Sequence, residues 1–247
     1  MKSTLFFLAI LILVTGCALK QVENVTRKNC GKNYCTYTVG EKPNKSLVYF
    51  PGLLDSKKAL EKSIFDTSDI DAIVQEMKPV EVIVYSESKV PDKLAWFVKG
   101  PERINDIILK APEPRYGVGI SMGGYNLAAY SAFNPEAFKK IALVNPMLLT
   151  ADESPFKTIT GPAMLLKGHY QPMEWKKLNP HSLIANVNSF PSTFISSCKK
   201  DLFNLTPGAI SLYGLLKLKG FDAKYKEDDI NCKHTDIPSL RILEFFK

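Results

Sequence analysis

Short apolar runs alternate with amphipathic runs along most of the chain. Ser46–Phe50 (SLVYF) is apolar and aromatic, with lysines before it and Pro51-Gly52 after it, the pattern of a buried strand. Residues 68–77 (SDIDAIVQEM) place Ile70, Ile73 and Met77 at helical spacing, with Ser68 as the N-cap. The alternation continues with a strand at 80–86 (VEVIVYS), a helix at 102–111 (ERINDIILKA) and a strand at 115–120 (RYGVGI). A helix of small residues follows at 123–134 (GGYNLAAYSAFN), then a strand at 139–146 (KKIALVNP). The last third predicts a strand at 192–197 (STFISS), a helix at 208–220 closed by Gly220, a strand at 221–227 (FDAKYKE) and a helix at 238–246 (PSLRILEFF). Residues 35–39 (CTYTV) read as a strand behind a polar tether, and 151–190 are less regular, with short helical pieces at Pro162–Leu166 and Ser182–Val187.

Strands alternating with helices predict βαβ units, hence an α/β fold with a mostly parallel sheet and ligand sites at the carboxyl ends of its strands. The chain has 247 residues, 45% hydrophobic and 23% charged, which suits one such domain. No linker divides residues 17–247, and 151–190 is the expected insertion, a small cap over the site. The formal net charge is +7, and the pI is about 9.0. Lysine and arginine are scattered rather than clustered, so the charge reads first as a solvated basic surface and second as a mild preference for anionic membranes. No nucleic-acid-binding motif, zinc-finger spacing or repeat is present in the sequence.

The first residues read as a targeting segment. Lys2 precedes an apolar run from Leu5 to Val14, half of the roughly 20 residues a transmembrane helix needs. The run fits the core of a signal peptide. Val14-Thr15-Gly16-Cys17 resembles the lipobox of bacterial lipoproteins. That resemblance implies cleavage of residues 1–16 and a lipid on Cys17, so that the protein is held at the membrane of the bacterial cell envelope, the outer membrane in a Gram-negative source. Loss of Lys2 with that segment would leave a net charge of 7 − 1 = +6. Lys20, Arg27, Lys28 and Lys32 would then lie close behind the anchor.

Export places the four remaining cysteines in an oxidising compartment. Four cysteines allow three pairings. Cys30–Cys35, a short local loop, and Cys198–Cys232 are the expected pair of bridges; metal binding is disfavoured because no two C-x-x-C pairs exist.

The chemistry centres on Gly119-Ile120-Ser121-Met122-Gly123, which matches G-x-S-x-G between a predicted strand and a predicted helix. A sharp strand-to-helix turn strains the serine backbone and lifts its hydroxyl out of the sheet. Gly119 and Gly123 are small because side chains there would collide, and the helix N-terminus behind the serine faces developing negative charge. A dinucleotide loop fails because Met122 stands where its third glycine should be, and a phosphate loop fails because Tyr125, not lysine, follows Gly124. Of three histidines, His234 lies after the last predicted strand, where the base is expected; His169 and His181 fall in the insertion and read as surface or cap residues. Asp201 lies in the loop leaving the strand at 192–197, where the acid is expected. Asp222 begins a strand, Asp228-Asp229 read as a solvated loop, and Asp236 reads as a charge at the start of the final helix. The expected oxyanion donors are the N–H groups of Met122 and of Leu53, with Gly52 letting the backbone approach. Cys198 is three residues before Asp201 and Cys232 two before His234, so their bridge would tie acid loop to base loop.

These pieces resemble the α/β-hydrolase superfamily, and within it the esterase group that includes esterase D and S-formylglutathione hydrolase. The segments carrying the resemblance are YFPGLLDS, GISMGGYNLAAYSAFNPEAFKKIALVNP, EWKKLNPHSLI, STFISSCKKD and CKHTD, and they span most of residues 46–247. One departure is Lys233 before His234, where the family usually has glycine. The resemblance implies a serine carboxylesterase acting on a small-molecule ester or acyl substrate through an acyl-enzyme, with Ser121, Asp201 and His234 as triad and no metal or cofactor. The rivals are a peptidase or acyltransferase with the same triad, and a non-catalytic envelope lipoprotein using the fold as a scaffold.

Overall fold

The structure is a computed structural model, and it describes residues 25–31, 33–52, 70–85, 104–148, 179–201, 203–228 and 232–247. The targeting segment, Cys17, Leu53, Ser68, His169 and most of the expected cap lie outside these residues.

Among the described residues, eight strands form one sheet in the order β1-β2-β4-β3-β5-β6-β7-β8. They are β1 Val25–Cys30, β2 Tyr34–Val39, β3 Ser46–Phe50, β4 Val80–Tyr85, β5 Arg115–Ile120, β6 Lys140–Val144, β7 Ser192–Cys198 and β8 Ala223–Asp228. The hairpin β1–β2 and the pair β2–β4 are antiparallel. Every other pairing is parallel. The helices are α1 Ile70–Met77, α2 Asn105–Lys110, α3 Met122–Phe133, α4 Pro180–Ala185, α5 Thr206–Leu218 and α6 Ser239–Phe246.

Alternation along each strand sorts its side chains between two cores. Leu47 and Tyr49 of β3, with Tyr116, Val118 and Ile120 of β5, face α1 and α6. Val48 and Phe50 face the other way, toward α2, α3, α4 and α5. On that second face β5 presents Gly117 and Gly119 instead of side chains. A methyl at Gly117 would stand 2.8 Å from Leu127 of α3, so this glycine sets how closely α3 lies on the sheet. With layers on both sides α3 is buried all round, and no residue from Met122 to Ala132 is exposed. Burial pushes the Tyr125 and Tyr130 hydroxyls well above the ordinary tyrosine pKa, with the Arg115 charge pulling the second partly back.

Most predicted elements are present within a residue or two, and two features differ. The segment read as a polar tether contains β1, an edge strand whose partner β2 supplies its ladder. A sequence of mostly polar residues gives no buried face, and edge strands need none. His181, expected as a surface or cap residue, is buried on α4, because α4 packs into the core through Ile184.

Candidate active site

Ser121 forms the turn between β5 and α3, with φ 54° and ψ −118°. Few non-glycine residues accept this backbone, and it persists only where its surroundings hold it. They do so here by three hydrogen bonds. Ser121 N–H donates to Val144 O at 2.9 Å, and its carbonyl accepts from Tyr125 N at 3.2 Å and Met147 N at 2.8 Å. Crowding around the turn explains the glycines. A methyl on Gly123 would lie 1.9 Å from Phe50 O, and one on Gly119 would lie 2.6 Å from Gly123 O. A serine at a helix N-cap ordinarily accepts a hydrogen bond from the first turn. The Ser121 side chain makes no capping bond, so its hydroxyl is not spent on the helix. The first turn of α3 carries no acidic residue, which leaves the helix dipole's positive end uncompensated by the helix's own side chains.

The loop after β3 passes against the serine: a Cβ at Gly52 would lie 3.5 Å from Ser121 Cβ. Leu53, the expected second donor, lies outside the described residues. Met122, the other, is the first residue of α3 and is buried.

Asp201 and His234 are brought together although 33 residues separate them, with Nδ1 and Oδ2 2.6 Å apart. The Asp201 side chain is 1% exposed and that of His234 17%. The second carboxylate oxygen accepts from Phe203 N at 2.7 Å, so both oxygens are occupied and the carboxylate plane is fixed. A carboxylate accepts, so the imidazole donates from Nδ1, and in a neutral ring Nε2 is then the acceptor. The Phe203 ring meets the imidazole edge-on, centroids 4.7 Å apart. Both expected disulfides are formed. Cys30 and Cys35 are cross-strand partners in the β1–β2 hairpin. Cys198–Cys232 joins the end of β7 to the segment before His234.

Two aspartates depart from their expected settings. Asp236 does not serve the final helix, which begins at Ser239. Its carboxylate accepts from Lys233 N at 2.7 Å and closes the turn that carries His234. Asp228 is not in a solvated loop; it ends β8, pairs with Arg241 and accepts from Ser196 Oγ at 3.2 Å. Phe203 and Asn145, whose Nδ2 donates to His234 O at 2.7 Å, are contacts of His234 that sequence reasoning missed.

Ser121 follows β5 and Asp201 follows β7, both at carboxyl ends of parallel strands, in the sheet order the structure shows. The fold is that of the α/β-hydrolases. Three solved structures illustrate the likeness. S-formylglutathione hydrolase from Agrobacterium tumefaciens superposes with a TM-score of 0.58 at 16% identity, covering 90% of this chain and 89% of that one. Esterase B from Lactobacillus rhamnosis gives 0.65 at 11%, covering 98% and 93%. A puromycin-hydrolysing peptidase from Mycobacterium tuberculosis gives 0.64 at 10%, covering 90% of this chain but 37% of that one. No protein-family model matches the sequence, and no curated protein matches it.

Proposed function

We propose that the protein is a serine hydrolase that cleaves carboxylic esters or thioesters through an acyl-enzyme. The observation that carries this reading is the buried Asp201–His234 pair, held at the same end of the sheet as a strained, uncapped serine. In this reading Ser121 Oγ attacks the acyl carbon and His234 Nε2 takes its proton. Asp201 holds the imidazole's orientation and stabilises its positive charge. The oxygen of the tetrahedral intermediate is received at the N-terminus of α3 by Met122 N–H, with Leu53 N–H as the second donor. His234 then protonates the leaving alcohol or thiol, and water repeats the sequence on the acyl-enzyme.

The preference for esters over peptides is supported by the esterase neighbours, which match this chain along nearly their whole length, while the peptidase is mostly additional chain. The same proposal places the protein in a bacterial cell envelope, anchored by lipidated Cys17 after removal of residues 1–16; the Val14–Cys17 sequence supports it. Metabolic labelling with an alkynyl palmitate, lost in Cys17→Ala, tests the anchor.

A fluorophosphonate probe tests the chemistry. Wild type is expected to be labelled stoichiometrically and Ser121→Ala not at all. Equal labelling of the two, or none of wild type, would leave the scaffold reading in place. An acyl-chain series of esters and thioesters then defines the substrate.

A further inference from the structure

Asn145 follows the last residue of β6. It is 3% exposed, and its backbone lies in the left-handed region, with φ 43°. Its polar groups are committed to two other segments. The backbone N–H donates to Ser196 O at 2.8 Å. The side-chain Oδ1 accepts from Cys198 N at 2.7 Å, and Nδ2 donates to His234 O at 2.7 Å. Its neighbours hold the serine turn: Val144 O accepts from Ser121 N, and Met147 N donates to Ser121 O. One buried residue therefore joins the strand end beside the nucleophile, the strand end before the acid, and the loop of the base.

We infer that Asn145 is a positioning residue that sets the reach between Ser121 and the His234 imidazole. The inference rests on the triad reading above. Asp201 fixes the rotation of the ring through Nδ1, but a ring moves with its own backbone. The Cys198–Cys232 bridge ties that backbone to β7, two strands from the serine's β5. Asn145 adds a nearer tie, because the strand it follows pairs with β5 and its Val144 O accepts from Ser121 N. The residue type follows from the task. One acceptor and one donor are needed on a short arm, and the amide has both. Asparagine also tolerates the left-handed backbone better than most residues.

Two variants of the full chain separate positioning from plain support. Asn145→Gly keeps the backbone conformation accessible and removes both side-chain bonds. Asn145→Asp is nearly the same shape, keeps an acceptor for Cys198 N, and sets an oxygen against His234 O where a donor stood. Both are compared with wild type and Ser121→Ala for kcat and KM on p-nitrophenyl acetate, rate of fluorophosphonate labelling, and thermal midpoint. The expected result is a loss of about 10²-fold in kcat and in labelling rate with KM near wild type, the scale of a displaced catalytic group. A second readout is the downfield proton of the His234 Nδ1–Asp201 hydrogen bond, which persists in both variants because Asp201 is untouched. A folded Asn145→Asp with wild-type kcat and labelling rate overturns the inference and leaves the triad standing; this variant decides even where Asn145→Gly fails to fold. Loss of the downfield proton in a folded Asn145→Asp also overturns it, since the damage would then lie in the acid–base pair. A wild-type chain that takes no label overturns the triad reading and the inference with it.

Discussion

The two disulfides sit in opposite settings. Cys30–Cys35 closes a five-residue separation inside a hairpin at the sheet's edge, where strand pairing already fixes the geometry. Cys198–Cys232 closes a separation of 34 residues and joins two segments that share no ladder beyond β8. The first duplicates a restraint that the backbone provides. The second supplies one that hydrogen bonding within the sheet does not, beside the Asp201–His234 contact. A cross-link is worth most where secondary structure stops and chemistry begins.

Replacing each pair by alanine gives the sharpest test of that contrast. Chain entropy assigns about 4 kcal/mol to the longer loop and about 2 kcal/mol to the shorter. The β1–β2 pairing should reduce the second further. The Cys198/Cys232 variant is expected to lose stability on that scale and at least about tenfold in kcat. The Cys30/Cys35 variant should keep its kcat. Denaturant midpoints and ester turnover measured on both would reverse the comparison if the hairpin variant were the more damaged.

The same division between crowded and open ground appears among the glycines. Gly123→Ala sets a methyl against Phe50 O and Pro51 O, both backbone atoms that cannot step aside alone. A cost of about 1–3 kcal/mol is expected, together with slower fluorophosphonate labelling, because the shift displaces the loop that runs past Ser121. Gly214 lies inside α5 with nothing within 4 Å of its missing Cβ. Gly214→Ala should therefore raise stability by about 0.5–1 kcal/mol and leave turnover unchanged. Thermal midpoints of the two variants moving in the same direction would contradict this division.

Most of the fold was legible because the central strands are covered on both faces. Burial on both sides writes itself into sequence as unbroken apolar runs such as Ser46–Phe50. At the edge that signal fails, and β1 passed for a tether. The Ser121 turn and the Asp201–His234 contact could be anticipated because strand order constrains where each residue must fall. What the chain did not announce were the interactions of Asn145, Phe203 and Asp236. Asn145 reads locally as the end of a strand, and its partners lie 53 and 89 residues away. Phe203 stands two residues past Asp201 in an ordinary loop, and only the folded chain sets its ring against the imidazole. Asp236 had an attractive local explanation at a helix start, yet the helix begins three residues later. Its carboxylate closes the turn at Lys233 instead.

From β5 onward, the sheet grows outward in chain order: β5, β6, β7, β8. Its proposed working parts are laid down in the same sequence, with Ser121 after β5, Asn145 after β6, Asp201 after β7 and His234 beyond β8. For a chain synthesised from its N-terminus, the proposed nucleophile emerges first and the proposed base last. The serine turn can close while its proton acceptor is still unmade, so a nascent chain carries the hydroxyl without the means to activate it. In the proposed reading, reactivity waits until after the sheet is complete, when the segment beyond β8 brings His234 to Asp201.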